Sequence, residues 1–238
     1  MINNAVLDNI NNKFADHPQT LVYCASCSST FVVYGNCGNR YCGICRFKNY
    51  LRLLHGYSRL VSEKKPNKLI TLTIKNQPIL TREWVYSIKK AFSKLLRLVY
   101  YKKKIRGGIY CVECINKGKG WNLHLHSLCC ADHIPRSKLS SDWCRITGDS
   151  YICDVLDVIS PVTAFSYILK DLLKQPPLHG HYQEYQEAFK RFRFVSKFGD
   201  WYNIPPEPPK KGVCPNCGSD DIMSEFFIDR ELRILENF

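Results

Sequence analysis

Long apolar runs are missing from this sequence of 238 residues. None reaches the eighteen or so consecutive apolar residues that a membrane-spanning helix requires, so no helical membrane span is expected. The first fourteen residues are polar and rich in asparagine, without a basic stretch followed by an apolar one, and no secretory signal is expected. Internal repeats are lacking, as is the G-x-x-x-x-G-K-[ST] loop with which nucleotide-driven motors cradle phosphates. Acidic residues are in short supply. With 21 Asp and Glu against 34 Lys and Arg, the formal charge is +13, which favours a polyanionic partner such as nucleic acid.

What is abundant is cysteine, thirteen of them. A cytoplasmic chain keeps its thiols reduced, so pairs spaced C-x-x-C are read as metal ligands rather than disulfides. Aromatic residues, at 13%, suffice both to fill a core and to stack on unpaired bases. The length allows one good-sized core plus a small metal-held appendage.

Along the chain, residues 1 to 20 read as loosely ordered with at most a marginal helix, and residues 51 to 60 as a short basic helix. Lys68 to Lys75 alternates β-branched and polar residues, the pattern of a strand with one buried face. Thr81 can cap a helix to about Tyr101, with Val85, Ile88, Phe92, Leu95, Leu96 and Val99 as its apolar stripe. Lys102, Lys103 and Lys104 suit the negative end of that helix's dipole. Gly108 to Ile115 and Trp121 to Cys130 read as strands of a hairpin around the glycine-containing turn 116–120. Tyr151 to Val158 reads as another strand, Ser160-Pro161 as the start of a helix to about Lys174, and Gln183 to Phe194 as a further helix. The proline-rich stretch 205–211 reads as a stiff linker.

The chemistry-bearing residues cluster in this pattern. In Trp121-Asn122-Leu123-His124-Leu125-His126, the strand period of two puts both histidines on one face. A turn centred between Gly118 and Lys119 places Glu113 directly opposite His124, about 5 Å away at Cβ. Two imidazoles and a carboxylate on one sheet face suit Mg²⁺ or Mn²⁺ with open positions for a phosphate. An H-x-H pair by itself is more often a half-buried pair that holds no ion; Glu113 in register tips the balance toward a metal. On the helix from Pro161, Val162, Phe165, Leu169 and Leu172 or Leu173 form the buried stripe. Thr163, Tyr167, Lys170, Asp171 and Lys174 fall on the other side. Cations beside a phenol, and a metal that draws charge from a phosphate, would assist it as a nucleophile. A lone tyrosine on a helix is otherwise an ordinary rim residue.

Taken together these motifs resemble the HUH endonuclease superfamily of replication initiators, relaxases and related transposases, over roughly residues 68 to 200. Ile70-Thr71-Leu72-Thr73 looks like its first motif, His124-Leu125-His126 like its metal motif with Glu113 as third ligand, and Tyr167-Ile168-Leu169-Lys170 like its tyrosine motif. The resemblance implies an α+β fold, a central antiparallel sheet flanked by helices (an HUH/RRM-like palm) with an N-terminal zinc-binding module. It also implies a metal-dependent, site-specific endonuclease of single-stranded or origin DNA: Tyr167 takes a 5′-phosphate, a free 3′-hydroxyl primes synthesis, and strands are later rejoined. Lys170 would position the scissile phosphate or its metal. Where two-tyrosine members carry a second tyrosine, this chain has Asp171. Without a phosphate-binding loop, a host helicase must separate strands and a host polymerase extend the primer. The setting implied is the cytoplasm of a bacterial or archaeal host, with the gene on a plasmid or virus. A transposase of the same superfamily, and a zinc-ribbon DNA-binding regulator without catalysis, are the alternatives.

Cys24-x-x-Cys27 and Cys42-x-x-Cys45 match the tetrahedral preference of Zn²⁺ and form one four-thiolate set. The resemblance offers a different set, in which Cys37 joins Cys27, Cys42 and Cys45. Cys214 and Cys217 look like half of a zinc ribbon, which His179 and His181, or Cys144 and Cys153, would complete. Cys111, Cys114, Cys129 and Cys130 read as buried small hydrophobes. The domain reading is a zinc module over 1–62, the endonuclease domain over 63–204 and a tail over 205–238.

Overall fold

In the computed structural model the described residues are 17–37, 39, 42–116, 118–173, 181–209 and 211–227. Contacts divide the chain into two compact units, Met1–Cys45 with Pro209–Phe238, and Arg46–Pro208. The C-terminal tail therefore belongs with the N-terminal cysteine region and does not stand as a separate segment.

The smaller unit is a three-stranded antiparallel sheet in the order β2-β1-β8, from β1 (Gln19–Cys24), β2 (Thr30–Tyr34) and β8 (Ile222–Phe227). The larger unit begins within α1 (Gly43–Lys64), a helix of 22 residues where the sequence suggests ten, extended by residues 43–50 and 61–64 and with Gly56 tolerated inside it at modest cost. Its sheet has five antiparallel strands: β3 (Lys68–Gln77), β4 (Ile105–Asn116), β5 (Trp121–Ala131), β6 (Cys153–Asp157) and β7 (Val195–Gly199), in the order β6-β3-β5-β4-β7. An antiparallel sheet flanked by helices is the expected α+β architecture.

Alternation sorts each strand's side chains between the two faces. Ile70, Leu72, Ile74, Val112, Cys114, Leu123 and Leu125 enter the main core, which α2 (Arg82–Arg97), α4 (Arg136–Thr147) and α6 (Tyr182–Ala188) help to enclose. Trp143 of α4 is fully buried there and donates its indole N–H to the Thr73 carbonyl at 2.8 Å, so its removal would cost on the order of 3–5 kcal/mol. The other face carries Ile109, Cys111, Leu128 and Cys130. It is covered by Leu60 and Val61 of α1 and by Phe165, Ile168 and Leu169 of α5 (Pro161–Leu169).

Thr81 caps α2 as its sequence suggests, accepting from the Trp84 N–H at 3.2 Å. The helix does not run to Tyr101. Leu98 takes an extended conformation (ψ 135°), and a second helix, α3 (Val99–Lys104), starts on a new axis. Val99 consequently falls out of the apolar stripe and is 70% exposed. The helix expected from Gln183 to Phe194 ends at Ala188, and the following aromatic stretch turns into β7. The expected disorder of residues 1 to 20 concerns mostly residues outside those described, but Gln19 and Thr20 already lie in β1. Cys111 and Cys129 are fully buried and Cys114 and Cys130 nearly so, and burial pushes the Cys129 thiol up to about 12.

Candidate functional site

Hairpin β4–β5 forms in the register its turn dictates, with Glu113 opposite His124 and Cys111 opposite His126. On the other side of β5, Thr73 of β3 lies opposite His124 and Thr71 opposite His126. The Thr73 hydroxyl is 2.9 Å from Nδ1 of His124, and the Thr71 hydroxyl 3.1 Å from Nδ1 of His126. Nε2 of His126 meets Glu113 Oε2 at 3.3 Å, with both side chains nearly out of solvent. The two imidazoles are near-parallel, 6.2 Å apart between centroids and 22° in tilt. Glu113, His124 and His126 are thus brought to one sheet face. Their ligand atoms do not converge as tightly as those of two other groups described below. Sequence reasoning missed the two threonines, although Thr71 and Thr73 carry the same period of two on the neighbouring strand.

The tyrosine helix covers that same face. Ile109, Cys111 and Glu113 alternate along β4, as do Leu128, His126 and His124 along β5, and the apolar members of both series pack under Phe165, Ile168 and Leu169 of α5. Pro161 occupies the first turn of α5, while Ser160 bonds the Thr163 hydroxyl (2.8 Å) rather than a backbone N–H. Val162, expected in the buried stripe, is 40% exposed, and Ile168 takes its place. Helix α1 fastens α5 laterally: Tyr50 Oη lies 2.9 Å from Ser166 Oγ, and Arg46 Nε donates to the Leu172 carbonyl at 2.8 Å. Tyr167 is 49% exposed. Its ring carries the Lys170 ammonium 3.5 Å from the centroid, a cation–π contact on an exposed helix edge. The α-helix passes at Lys170 into a 3-10 turn, Lys170–Leu173, which holds the Asp171 backbone. The side chain of Asp171 and the whole of Lys174 lie outside the described residues.

The cysteines assort differently from the pattern their spacing suggests. Cys24 and Cys27 do not share a site with Cys42 and Cys45. They join Cys214 and Cys217, while Cys37, Cys42 and Cys45 join His17, each group of four holding its ligand atoms within 4.8 Å of one another. Either group could hold a metal ion such as zinc. His181 does not complete the Cys214 pair. It bonds Glu184 at 3.1 Å, and Cys153 lies against the Arg136 carbonyl. His179 is outside the described residues. His17 was not legible as a ligand, since it stands alone 20 residues before Cys37. The only hint is that three cysteines in one set leave a tetrahedral site one ligand short.

Residues 33–137 match the family model described as replication protein (Rep_1). Over these residues, under half of its length, the chain is similar to that replication protein family. The matched region includes β3, β4 and β5, and hence Thr71, Thr73, Glu113, His124 and His126; Tyr167 lies beyond it. No curated protein and no solved structure shows significant similarity to the chain. Among its described residues, the chain has no helix long and apolar enough to cross a membrane.

Proposed function

We propose that this chain is a replication protein that initiates rolling-circle replication by nicking one strand of origin DNA with Tyr167. The observation that carries the reading is the stacking of the Tyr167 helix on the sheet face that presents Glu113, His124 and His126. The hydroxyl oxygen of Tyr167 attacks the scissile phosphorus, and the bond from phosphorus to the 3′ oxygen breaks. The 5′ phosphate stays on the tyrosine, and the departing 3′ oxygen takes up a proton to become the primer hydroxyl. Lys170 stabilises the charge that develops on the phenol oxygen as its proton leaves.

The donor set on the sheet suits a hard divalent ion. Glu113 Oε2 and His126 Nε2, 3.3 Å apart, span nearly the edge of a coordination octahedron, roughly 3.0 Å for bonds of about 2.1 Å. With Nδ1–H of each histidine donating to a threonine hydroxyl, Nε2 keeps the lone pair that a metal takes. Mg²⁺ or Mn²⁺ held by Glu113, His124 and His126 would withdraw charge from the phosphate. Strand separation and extension of the primer fall to a host helicase and polymerase, in the cytoplasm of a bacterial or archaeal host.

The test is Tyr167→Phe on labelled single-stranded origin DNA. The variant should bind DNA as the parent does, yet give neither a nick nor a protein–DNA adduct that survives denaturation. An adduct formed by the variant would sink the proposal.

A further inference from the structure

The cysteines at the two ends of the smaller unit are built as a matched pair of turns. In the first, the Cys24 N–H donates to the Ser29 carbonyl at 2.9 Å and the Ser28 N–H to the Cys24 carbonyl at 2.8 Å. In the second, the Cys214 N–H donates to the Ser219 carbonyl at 2.7 Å and the Gly218 N–H to the Cys214 carbonyl at 2.9 Å. The residue after the second cysteine is left-handed in both, Ser28 at φ 58° and Gly218 at φ 75°. Serine rarely adopts that conformation, so its presence at Ser28 points to an imposed geometry. The turns face each other: Sγ of Cys24 is 3.6 Å from Sγ of Cys217, and Sγ of Cys27 is 3.6 Å from Sγ of Cys214.

Those separations are far beyond the roughly 2.0 Å of a disulfide. They match the edge of a tetrahedron with four bonds of about 2.3 Å, roughly 3.8 Å, which is the geometry of Zn²⁺ among thiolates. The second group has the same scale. Its contacts are 3.4 Å between Cys37 and Cys45 Sγ, and 3.3 and 3.4 Å from His17 Nε2 to the sulfurs of Cys42 and Cys45. The unit has little else to hold it. Its buried hydrophobic residues, among those described, are Val22, Cys24, Cys45 and Cys214, and three of these four are members of the sulfur clusters. So small an apolar core cannot offset the conformational entropy of ordering three strands, and bound metal must supply the difference.

We infer that the chain carries two structural zinc ions, one on His17, Cys37, Cys42 and Cys45 and one on Cys24, Cys27, Cys214 and Cys217, the latter a zinc ribbon that clasps β8 to β1. Bonds that tie the two turns directly, Ser26 Oγ to Ser219 Oγ at 2.7 Å and Asn216 Nδ2 to Ser29 Oγ at 2.9 Å, set the ribbon's register.

The full chain, purified without added metal, should contain two zinc ions per polypeptide by elemental analysis. Cys214→Ser with Cys217→Ser should lower this to one and expose the tail from 209 onward to limited proteolysis. His17→Ala with Cys42→Ser should remove the other ion. Cys217→His, which keeps a ligand, should retain two ions, and its cobalt(II)-substituted form should lose thiolate charge-transfer intensity relative to the parent, which offers seven thiolates. One zinc in the parent, or two in the double serine variant, would overturn the inference, as would a Cys24–Cys217 or Cys27–Cys214 disulfide in the freshly isolated protein.

Discussion

Thr73→Val is the sharpest perturbation of the candidate site, because it keeps side-chain shape and removes a single hydroxyl. Thr73 is 8% exposed, and its Oγ1 lies 2.9 Å from Nδ1 of His124. A neutral hydrogen bond contributes about 0.5–1.5 kcal/mol net, and at about 1.4 kcal/mol per decade its loss corresponds to roughly 2- to 12-fold in any affinity that depends on it. Losing the partner of a metal-bound histidine weakens metal affinity by about 10- to 100-fold. The two ranges overlap near tenfold, and that is the expected increase in the Mn²⁺ concentration for half-maximal nicking. At saturating Mn²⁺ the rate should return close to that of the parent, since the phenol and Lys170 are untouched. Loss of about 1 kcal/mol of stability would lower the thermal midpoint by only about 2–4 °C, so folding and metal effects separate cleanly. A midpoint that falls while the Mn²⁺ dependence stays put would refute the reasoning and reduce Thr73 to a packing residue.

Alanine at His124 or at His126 should abolish Mg²⁺- or Mn²⁺-dependent cleavage and leave the zinc content of the smaller unit intact; unchanged cleavage in both variants would remove them from the reaction. Asp171→Asn should keep the first nick near its normal rate and accumulate the covalent adduct, because a carboxylate about a turn after Tyr167 can take the proton of an attacking water or 3′-hydroxyl; equal slowing of both steps would argue for an electrostatic role. Lys89 is brought down to about 8 by burial first and by the Arg193 charge second, from an ordinary 10.5. Between pH 8 and 10.5 the unfolded chain therefore binds more protons than the folded one, and stability should rise with pH across that window. Lys89→Met should be the more stable protein at pH 7 and should lose that rise; a constant gap between the two urea midpoints from pH 7 to 10 would contradict the burial argument.

The hairpin and its register were legible because two strong local signals agree there, a glycine-containing turn and a period of two on both strands. The same holds for α5, where Ser160-Pro161 marks the start and the apolar spacing does the rest. The break at Leu98 was not legible, since leucine is a good helix former and the apolar spacing continues past it; only tertiary packing turns the chain there. Strand β7 was hidden for a related reason, with Val195 and Phe198, three residues apart, as able to line a helix as a strand. In the smaller unit, β2 has mostly half- to fully exposed positions and so lacks the alternation that betrays a strand. The grouping of the cysteines was beyond local reading altogether. Spacing identifies a C-x-x-C turn but says nothing of which distant turn it faces, and Cys24 finds Cys217 across 193 residues.

That separation has a consequence for how the protein is made. β1 is the middle strand of its sheet, with β2 as one neighbour and β8 as the other. At roughly 5–20 residues per second of synthesis, the 193 residues from Cys24 to Cys217 take ~10–40 s to emerge from the ribosome. For all of that time one edge of β1 is unpaired, while the strands of the larger sheet, contiguous in the chain, can already assemble. β1 is thus among the last strands to reach its final pairing although it is made before the larger sheet, and a polypeptide released early would keep an open strand edge for quality-control proteases to recognise.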